Sequence, residues 1–183
     1  MLIIALFIAV GGAAAFIYNR LVQRRQLVEN GWADIDVQLK RRANLVPQLV
    51  ASVQGYALHE QQLFERIAEK RANALAAGDD KQQRGAAETA LSRPVARLVA
   101  VAEEYPDLKA SENFLKLQQE LVETEEKIEM ARRFYNGAVR KLNTSVQSFP
   151  NSIIAGAFGF VIAAYFEITT ADKMVPPVRL DAA

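Results

Sequence analysis

Hydrophobic and polar positions follow helical periods along most of this chain, but the first stretch is uniformly apolar. Residues 1–19 contain no charged side chain, and Arg20, Arg24 and Arg25 follow at once. The apolar run over residues 2–18 would make about 26 Å of helix, close to the shortest length that crosses a bilayer. The pattern therefore predicts a transmembrane anchor over residues 1–19.

The position of the charges predicts the orientation of this anchor. Cationic flanks stay on the cytoplasmic side of a membrane, and here they all follow the apolar run. We expect the N-terminus outside and the body in the cytoplasm. A cleaved secretory signal is the alternative, because Ala13, Ala14 and Ala15 resemble a cleavage site. The lack of basic residues before the apolar run favours an uncleaved anchor.

Beyond the anchor, apolar residues recur at intervals of three, four and seven, which predicts four helices. The first continues from the anchor to about residue 42, and the second starts near Leu45. The apolar spacing is almost unbroken across Pro47, so one long kinked helix is the alternative. The third helix is expected from about 82 to 104, and the fourth from about 112 to 149.

The fourth helix has the most regular pattern. Large apolar residues occupy every seventh position, and mostly small residues lie between them. Such heptads form the seam of a helical bundle or coiled coil. Packing within the monomer and self-association are both compatible with this pattern, and we favour the monomer core. The heptad residues are Phe114, Leu121, Ile128, Tyr135, Leu142 and Phe149.

Composition indicates an all-α protein and limits its chemistry. Helix formers dominate the sequence, and 22 Lys and Arg against 21 Asp and Glu give a net charge of +1, which argues against binding to nucleic acid or to an acidic partner. The absence of cysteine excludes disulfides and thiolate metal sites. His59 begins a HExxH-like pattern, but no second histidine exists. We expect no catalytic residue, no cofactor and no metal site.

Several motifs, in order along nearly the whole chain, resemble the LemA family. The resemblance implies a bacterial membrane protein with one N-terminal anchor and a cytoplasmic, antiparallel, up-and-down four-helix bundle. It implies no catalytic mechanism. Some members are linked to magnetosome membrane formation, and others are encoded near a membrane zinc protease of the HtpX type. The motifs occupy residues 32–50, 55–60, 105–110, 112–114, 124–136, 149–151 and 158–160.

The segment after the fourth helix departs from the family pattern, because no lysine follows the Phe-Gly-Phe motif. Residues 153–166 contain no charge, and we expect a short apolar helix over 151–168, before a tail over 169–183. Fourteen residues are too few to span a bilayer. They suit an interfacial, re-entrant or oligomer-buried helix, with a buried core helix as the alternative.

Two ridges of small residues and one basic cluster are the candidate interaction residues. Small residues four positions apart permit close helix pairing in lipid, although they are common in membrane helices anyway. The basic cluster either complements a helix C-terminus or contacts a neighbouring subunit. The ridges are Ala155, Gly159 and Ala163, beside Ile162, and Ala5, Ala9 and Ala13 in the anchor; the cluster is Lys40, Arg41 and Arg42.

The sequence thus predicts an anchor over 1–19, a bundle over 20–150, an apolar helix over 151–168 and a tail over 169–183. We expect a non-enzymatic scaffold that self-assembles on the bacterial inner membrane and organises membrane or partner proteins. Its expected partners are the lipid bilayer, further copies of itself and other membrane proteins, and not nucleic acid. The alternative is an adaptor that regulates a membrane enzyme such as an HtpX-type protease.

Overall fold

The structure, a computed structural model, describes residues 1–167, which contain helices and no strands. The predicted all-α class is confirmed, whereas the four-helix bundle over 20–150 stays a prediction. The tail expected over 169–183 lies outside the described residues. The helices are α1 Leu2–Gln54, α2 Gln61–Ala76, α3 Lys81–Glu103, α4 Pro106–Lys109, α5 Glu112–Gln147 and α6 Asn151–Ala157.

The described residues divide into two compact units. The first unit consists of Met1–Arg42 and Glu120–Phe166, and the second of Ala43–Gln119 together with Glu167. The first unit therefore contains most of α1, the larger part of α5, and α6. The second contains the last turns of α1, all of α2, α3 and α4, and the start of α5.

A single helix of 53 residues, α1, includes the apolar stretch and continues through Pro47 to Gln54. The predicted helix end near residue 42 and new start near Leu45 are therefore wrong, and the alternative of one long helix is correct. The chain turns instead over residues 55–60, between α1 and α2.

The continuity of α1 at Pro47 has a specific explanation. A proline inside a helix cannot donate a hydrogen bond to the carbonyl four residues earlier. That carbonyl belongs to Ala43, which is buried, and the Arg71 Nε–H of α2 donates to it at 2.6 Å. Because a side chain replaces the missing backbone donor, the proline leaves no unsatisfied buried carbonyl in the second unit.

In the second unit, α2 and α3 form a helical hairpin. Gly78 has a φ of +62° and permits the turn. The Asp80 carboxylate then caps α3 by accepting from the Gln82 and Gln83 backbone N–H groups at 2.9 and 3.0 Å. The bounds of α3 lie within one residue of the predicted 82–104. Apolar residues buried on the two helices include Leu63, Phe64, Ile67, Leu91, Val95 and Leu98.

In the first unit, α1 packs closely against α5. A Cβ atom at Gly31 would lie only 3.2 Å from the Tyr135 Cα, so glycine permits this approach. The α5 heptad residues Phe114, Leu121, Ile128, Tyr135 and Leu142 are all buried, as predicted for a monomer core. Phe149 is the exception, because α5 ends at Gln147 and leaves its side chain 82% exposed.

The predicted apolar helix over 151–168 is correct only for its first turns. Helix α6 ends at Ala157, and residues 160–167 are not helical. Gly159 adopts a φ of +69°, and the Phe160 N–H donates to the Ala155 carbonyl at 2.9 Å. This is the Schellman arrangement, in which a glycine in the left-handed region stops the helix. The expectation of a helix over the whole segment is therefore wrong.

The contact between Arg71 and the Ala43 carbonyl gives a testable stability effect. Arg71→Met keeps most of the side-chain packing but leaves the carbonyl unsatisfied, which should cost about 1–3 kcal/mol in the free energy of unfolding. In a Pro47→Ala background the helix supplies its own N–H, so the same change should cost clearly less. Chemical denaturation of the four variants measures this coupling. Equal costs in both backgrounds would contradict the explanation.

Candidate interaction surface beside the apolar stretch of α1

The apolar stretch of α1 is a candidate membrane span. Within residues 1–167, α1 is the only helix long and apolar enough to cross a bilayer, and none of its most apolar window is buried by the rest of the protein. Ala5, Ala9 and Ala13, the predicted anchor ridge, lie four residues apart on this exposed stretch. Their role in helix pairing stays a prediction.

Aromatic rings from the turn after α6 pack where the apolar stretch meets the first charges. The Tyr18 ring lies 4.8 Å from the Phe158 ring and 5.8 Å from the Phe160 ring. The Arg25 guanidinium lies 5.3 Å from the centre of the Phe160 ring, within the range of a cation–π contact. Leu21 and Ala155 are buried in the same cluster as Phe160. These contacts fix α6 and its following turn on this part of α1.

Arg24 links the same part of α1 to α5. Its guanidinium donates to the Lys141 carbonyl oxygen at 3.1 Å. Burial, and to a smaller degree the neighbouring charge of Arg20, lowers the pKa of Arg24. An arginine stays protonated despite such a shift, so this end of the first unit keeps its cationic rim.

Over residues 149–162, the first unit also exposes large apolar side chains, which we call the apolar collar. Val161 is 77% exposed and Ile162 59% exposed, although both belong to an uncharged stretch. Exposed apolar side chains that are grouped in this way mark contact surfaces for lipid or protein. The apolar collar consists of Phe149, Ile153, Phe158, Val161 and Ile162.

The segment over residues 160–166, which we call the strap, is held by polar side chains of α5. The Asn143 amide accepts from the Ala163 N–H at 2.8 Å and donates to the Ala163 carbonyl at 2.9 Å. Asn136 makes the same pair of bonds to Phe166, at 3.0 and 2.9 Å. The Tyr135 hydroxyl donates to the Ala164 carbonyl at 2.8 Å, and burial raises its pKa.

The spacing of these two asparagines matches an extended strap. Seven residues of helix rise about 10 Å, and three residues of extended chain cover about the same distance. Asn136 and Asn143 can therefore each bind one backbone unit of the strap, three residues apart. An extended segment beside a helix has no neighbouring strand to pair with. Side-chain amides therefore supply the hydrogen-bond partners that its backbone needs. Phe166 at its end is fully buried, 5.2 Å from the Trp32 ring.

The predicted C-terminal ridge is not a helical ridge in the structure. Ala155 is buried in α6, whereas Gly159 lies in the turn and Ala163 in the strap. Since these three residues do not share one helix, their spacing of four residues does not place them on one face. Ile162 lies in the exposed collar. A role of these residues in subunit contact stays a prediction.

The basic cluster does not lie at a helix C-terminus, because α1 continues to Gln54. Lys40 pairs with Asp36 at 2.6 Å, Arg41 with Glu120 at 3.9 Å, and Arg42 with Glu125 at 3.0 Å. Arg42 is only 1% exposed. Each cation thus has a carboxylate partner in its own unit, and the dipole explanation is wrong. A subunit contact at this cluster stays a prediction.

Within the described residues, no group of three His, Cys, Asp or Glu side chains is placed to hold a metal ion. His59 is exposed in the turn between α1 and α2, and Glu60 directly precedes α2. The HExxH-like pattern therefore does not begin on a helix, which is where a zinc site of that type places its ligands.

The strap is the part of this surface that sequence analysis missed. The sequence feature that could have indicated the strap is a pair of amides seven residues apart on α5. At this spacing, Asn136 and Asn143 share one helical face. A polar amide beside an apolar heptad face requires a partner when it is partly buried. The sequence alone does not show that the partner is backbone rather than another side chain.

The comparisons with known proteins agree with the resemblance noted above. The model of the LemA family matches residues 31–180. Relatives include magnetosome protein MamQ 2 of Paramagnetospirillum magneticum, 25% identical over 82% of this chain and 64% of the relative. Magnetosome protein MamQ of Magnetospirillum gryphiswaldense is 23% identical over 81% of this chain and 64% of the relative.

Protein LemA of Metamycoplasma hominis is 24% identical over 93% of this chain and 80% of the relative. The chain therefore spans less than two thirds of the two MamQ proteins and a larger share of this LemA protein. The similarity supports membership of a family and leaves function to be argued from the chain itself.

The amide contacts to the strap predict a loss of stability when one is removed. Asn143→Ala deletes both hydrogen bonds to Ala163 and should cost about 1–3 kcal/mol in the free energy of unfolding. Asn73→Ala, on the exposed face of α2, removes the same side chain without this contact and should stay within about 0.5 kcal/mol. Denaturant titration compares the two. Equal effects would show that the strap contacts add nothing to stability.

Proposed function

The chain belongs to the LemA family, and from this premise we propose that it is a non-enzymatic, membrane-anchored helical scaffold. In this proposal the chain self-assembles on the bacterial inner membrane and organises membrane or partner proteins. The observation that supports it is the combination, in one unit, of an exposed apolar helical stretch and the apolar collar beside it.

The collar supports assembly because the candidate span alone would suffice as a tether. An anchor needs no further apolar surface, yet the stretch over residues 149–162 exposes five large apolar side chains, and one of them, Phe158, packs on Tyr18. Exposed apolar groups of this kind gain free energy by entering the headgroup boundary or by packing against other copies. We therefore propose that the collar contacts lipid and neighbouring subunits.

The topology that we propose for the long helices is an antiparallel, up-and-down bundle. In the first unit, Arg24 contacts residue 141 and Arg42 contacts Glu125, so rising numbers in α1 pair with falling numbers in α5. In the second unit, α2 and α3 are joined by a turn of only a few residues, which is typical of antiparallel neighbours.

The names of the MamQ relatives support a role in membrane organisation, because they assign those proteins to the magnetosome. The alternative function is an adaptor that regulates a membrane enzyme, such as a protease. Purification in mild detergent separates the two: a large homo-oligomer without companions supports the scaffold. Stoichiometric co-purification of a second membrane protein supports the adaptor.

The collar can be tested by a single charge. Ile162→Asp should reduce particle size, because a carboxylate is costly at a lipid or subunit contact. Helicity should be unchanged, since Ile162 is exposed. Leu75→Asp on α2 is the matched control, because it introduces the same charge at an exposed leucine outside the collar. Light scattering of detergent-solubilised particles gives the size, and normal assembly of the Ile162 variant would refute the proposal.

We also propose that the body faces the cytoplasm, because the cations follow the apolar stretch and none precedes it within the chain. Gln83 is exposed near the start of α3, and the chain contains no cysteine. Gln83→Cys should resist a membrane-impermeant maleimide in intact cells and react after lysis. Rapid labelling in intact cells would show that the body lies outside the cytoplasm, which is the opposite orientation.

A further inference from the structure

A groove between α2 and α3, within the second unit, has a strongly cationic lining. Its volume is about 630 Å³, and no carboxylate belongs to its lining. Four cationic side chains surround it, while Leu63, Pro94 and several small residues provide apolar surface. The cations are Arg66, Lys70, Arg93 and Arg97.

These cations differ from three other exposed cations in the described part of the chain. Lys40, Arg25 and Arg133 each have a carboxylate partner one helical turn away. In the groove, by contrast, the residues one turn apart are two pairs of like charge, Arg66 with Lys70 and Arg93 with Arg97. Like charges at this spacing are unfavourable within a helix.

Only one of the four cations forms an ion pair within the described residues. Lys70 contacts the Glu69 carboxylate at 2.8 Å, and this contact lowers the Glu69 pKa. Glu69 also interacts electrostatically with Arg66, whereas Arg93 and Arg97 form no ion pair with any described residue.

The groove is elongated. On α3 its lining extends from Ala86 to Arg97, which is about 16 Å along the helix, and on α2 from Leu63 to Lys70, about 10 Å. Ala86 and Ala90 leave depth along its floor. An occupant that satisfies all the cations must therefore distribute negative charge over several residues, whereas a phosphate group concentrates it within a few ångströms.

We propose that this groove binds an acidic helical segment of a partner protein. Carboxylates one turn apart on such a helix match the spacing of the arginine pairs, and its small apolar residues pack on the alanine floor. The acidic part of α5 in a second copy is a poorer occupant. Its Glu120, Glu125 and Glu129 already pair with arginines of their own chain.

The test uses the full chain in non-ionic detergent and a labelled, alanine-based helical peptide with glutamates one turn apart. Fluorescence anisotropy should detect binding that weakens as NaCl increases. The same peptide with glutamines should bind at least about tenfold more weakly, because it lacks the charges. Equal affinity of the two peptides would overturn the proposal.

Two changes in the chain test the groove itself. Arg93→Gln with Arg97→Gln should weaken binding by about tenfold. The control, Lys109→Gln with Lys116→Gln, removes the same charge from exposed positions outside the lining and should change affinity by less than about twofold. Circular dichroism establishes that both variants are folded.

A third variant tests shape without charge. Ala90→Leu fills the groove floor with a good helix former, and it should also weaken binding of the glutamate peptide. If the Ala90 variant and the arginine variant both bind the glutamate peptide as tightly as the parent chain does, the groove is not the binding site.

A lipid site is the other outcome to exclude. Soluble short-chain phosphatidylserine that binds the parent, but not the arginine variant, while both bind the peptide equally, would overturn the proposal in favour of a lipid site. Peptide binding requires no assembly of the chain. A monomer that binds the peptide would therefore refute the scaffold and support the groove.

Discussion

The continuity of the α1 helix over 53 residues is the constraint on which the described structure depends. An apolar stretch in lipid must satisfy its own backbone groups, and a helix is the way for one segment to do so. The same helix then continues past the last apolar residues and supplies buried surface to both units. The one proline in the interior of α1 lies in the second unit, where Arg71 compensates for the backbone N–H that proline lacks.

A second set of polar contacts explains residues that belong to the family motifs. Trp32 and Asn136 occur in motifs that resemble the LemA family, as does the Phe158-Gly-Phe160 sequence. In the structure they meet around the strap: the Trp32 ring packs on Phe166, Asn136 binds the Phe166 backbone, and Gly159 turns the chain into the strap. The motif residues thus have a structural purpose. They fix a segment that has no backbone hydrogen-bond partner of its own.

The success of sequence analysis depended on whether the cause of a feature was local. The heptads of α5 and the bounds of α3 follow from periodicity and capping, and they were predictable. The helix through Pro47 was only an alternative, because its compensation comes from the side chain of Arg71, 28 positions after Ala43 in sequence. The strap was missed because apolar residues at helical spacing also fit a segment that is extended. The positive φ of Gly159 ends the helix, and the sequence does not reveal this φ. The hydrogen-bond partners of the strap lie on α5, so they too are not local in sequence.

The cationic groove shows why net charge is a poor guide to function in this chain. A total of +1 argued against any strongly charged partner, yet the lining of one hairpin contains four cations and no carboxylate. The first unit presents an apolar collar and the second a cationic groove, so the two surfaces depend on different forces. Hydrophobic contact persists at high ionic strength, whereas attraction between exposed charges is screened over about 8 Å in physiological salt. Salt should therefore separate the contacts of the collar from those of the groove. An organiser that holds its own assembly by one force and its client by the other can release the client without dissociating.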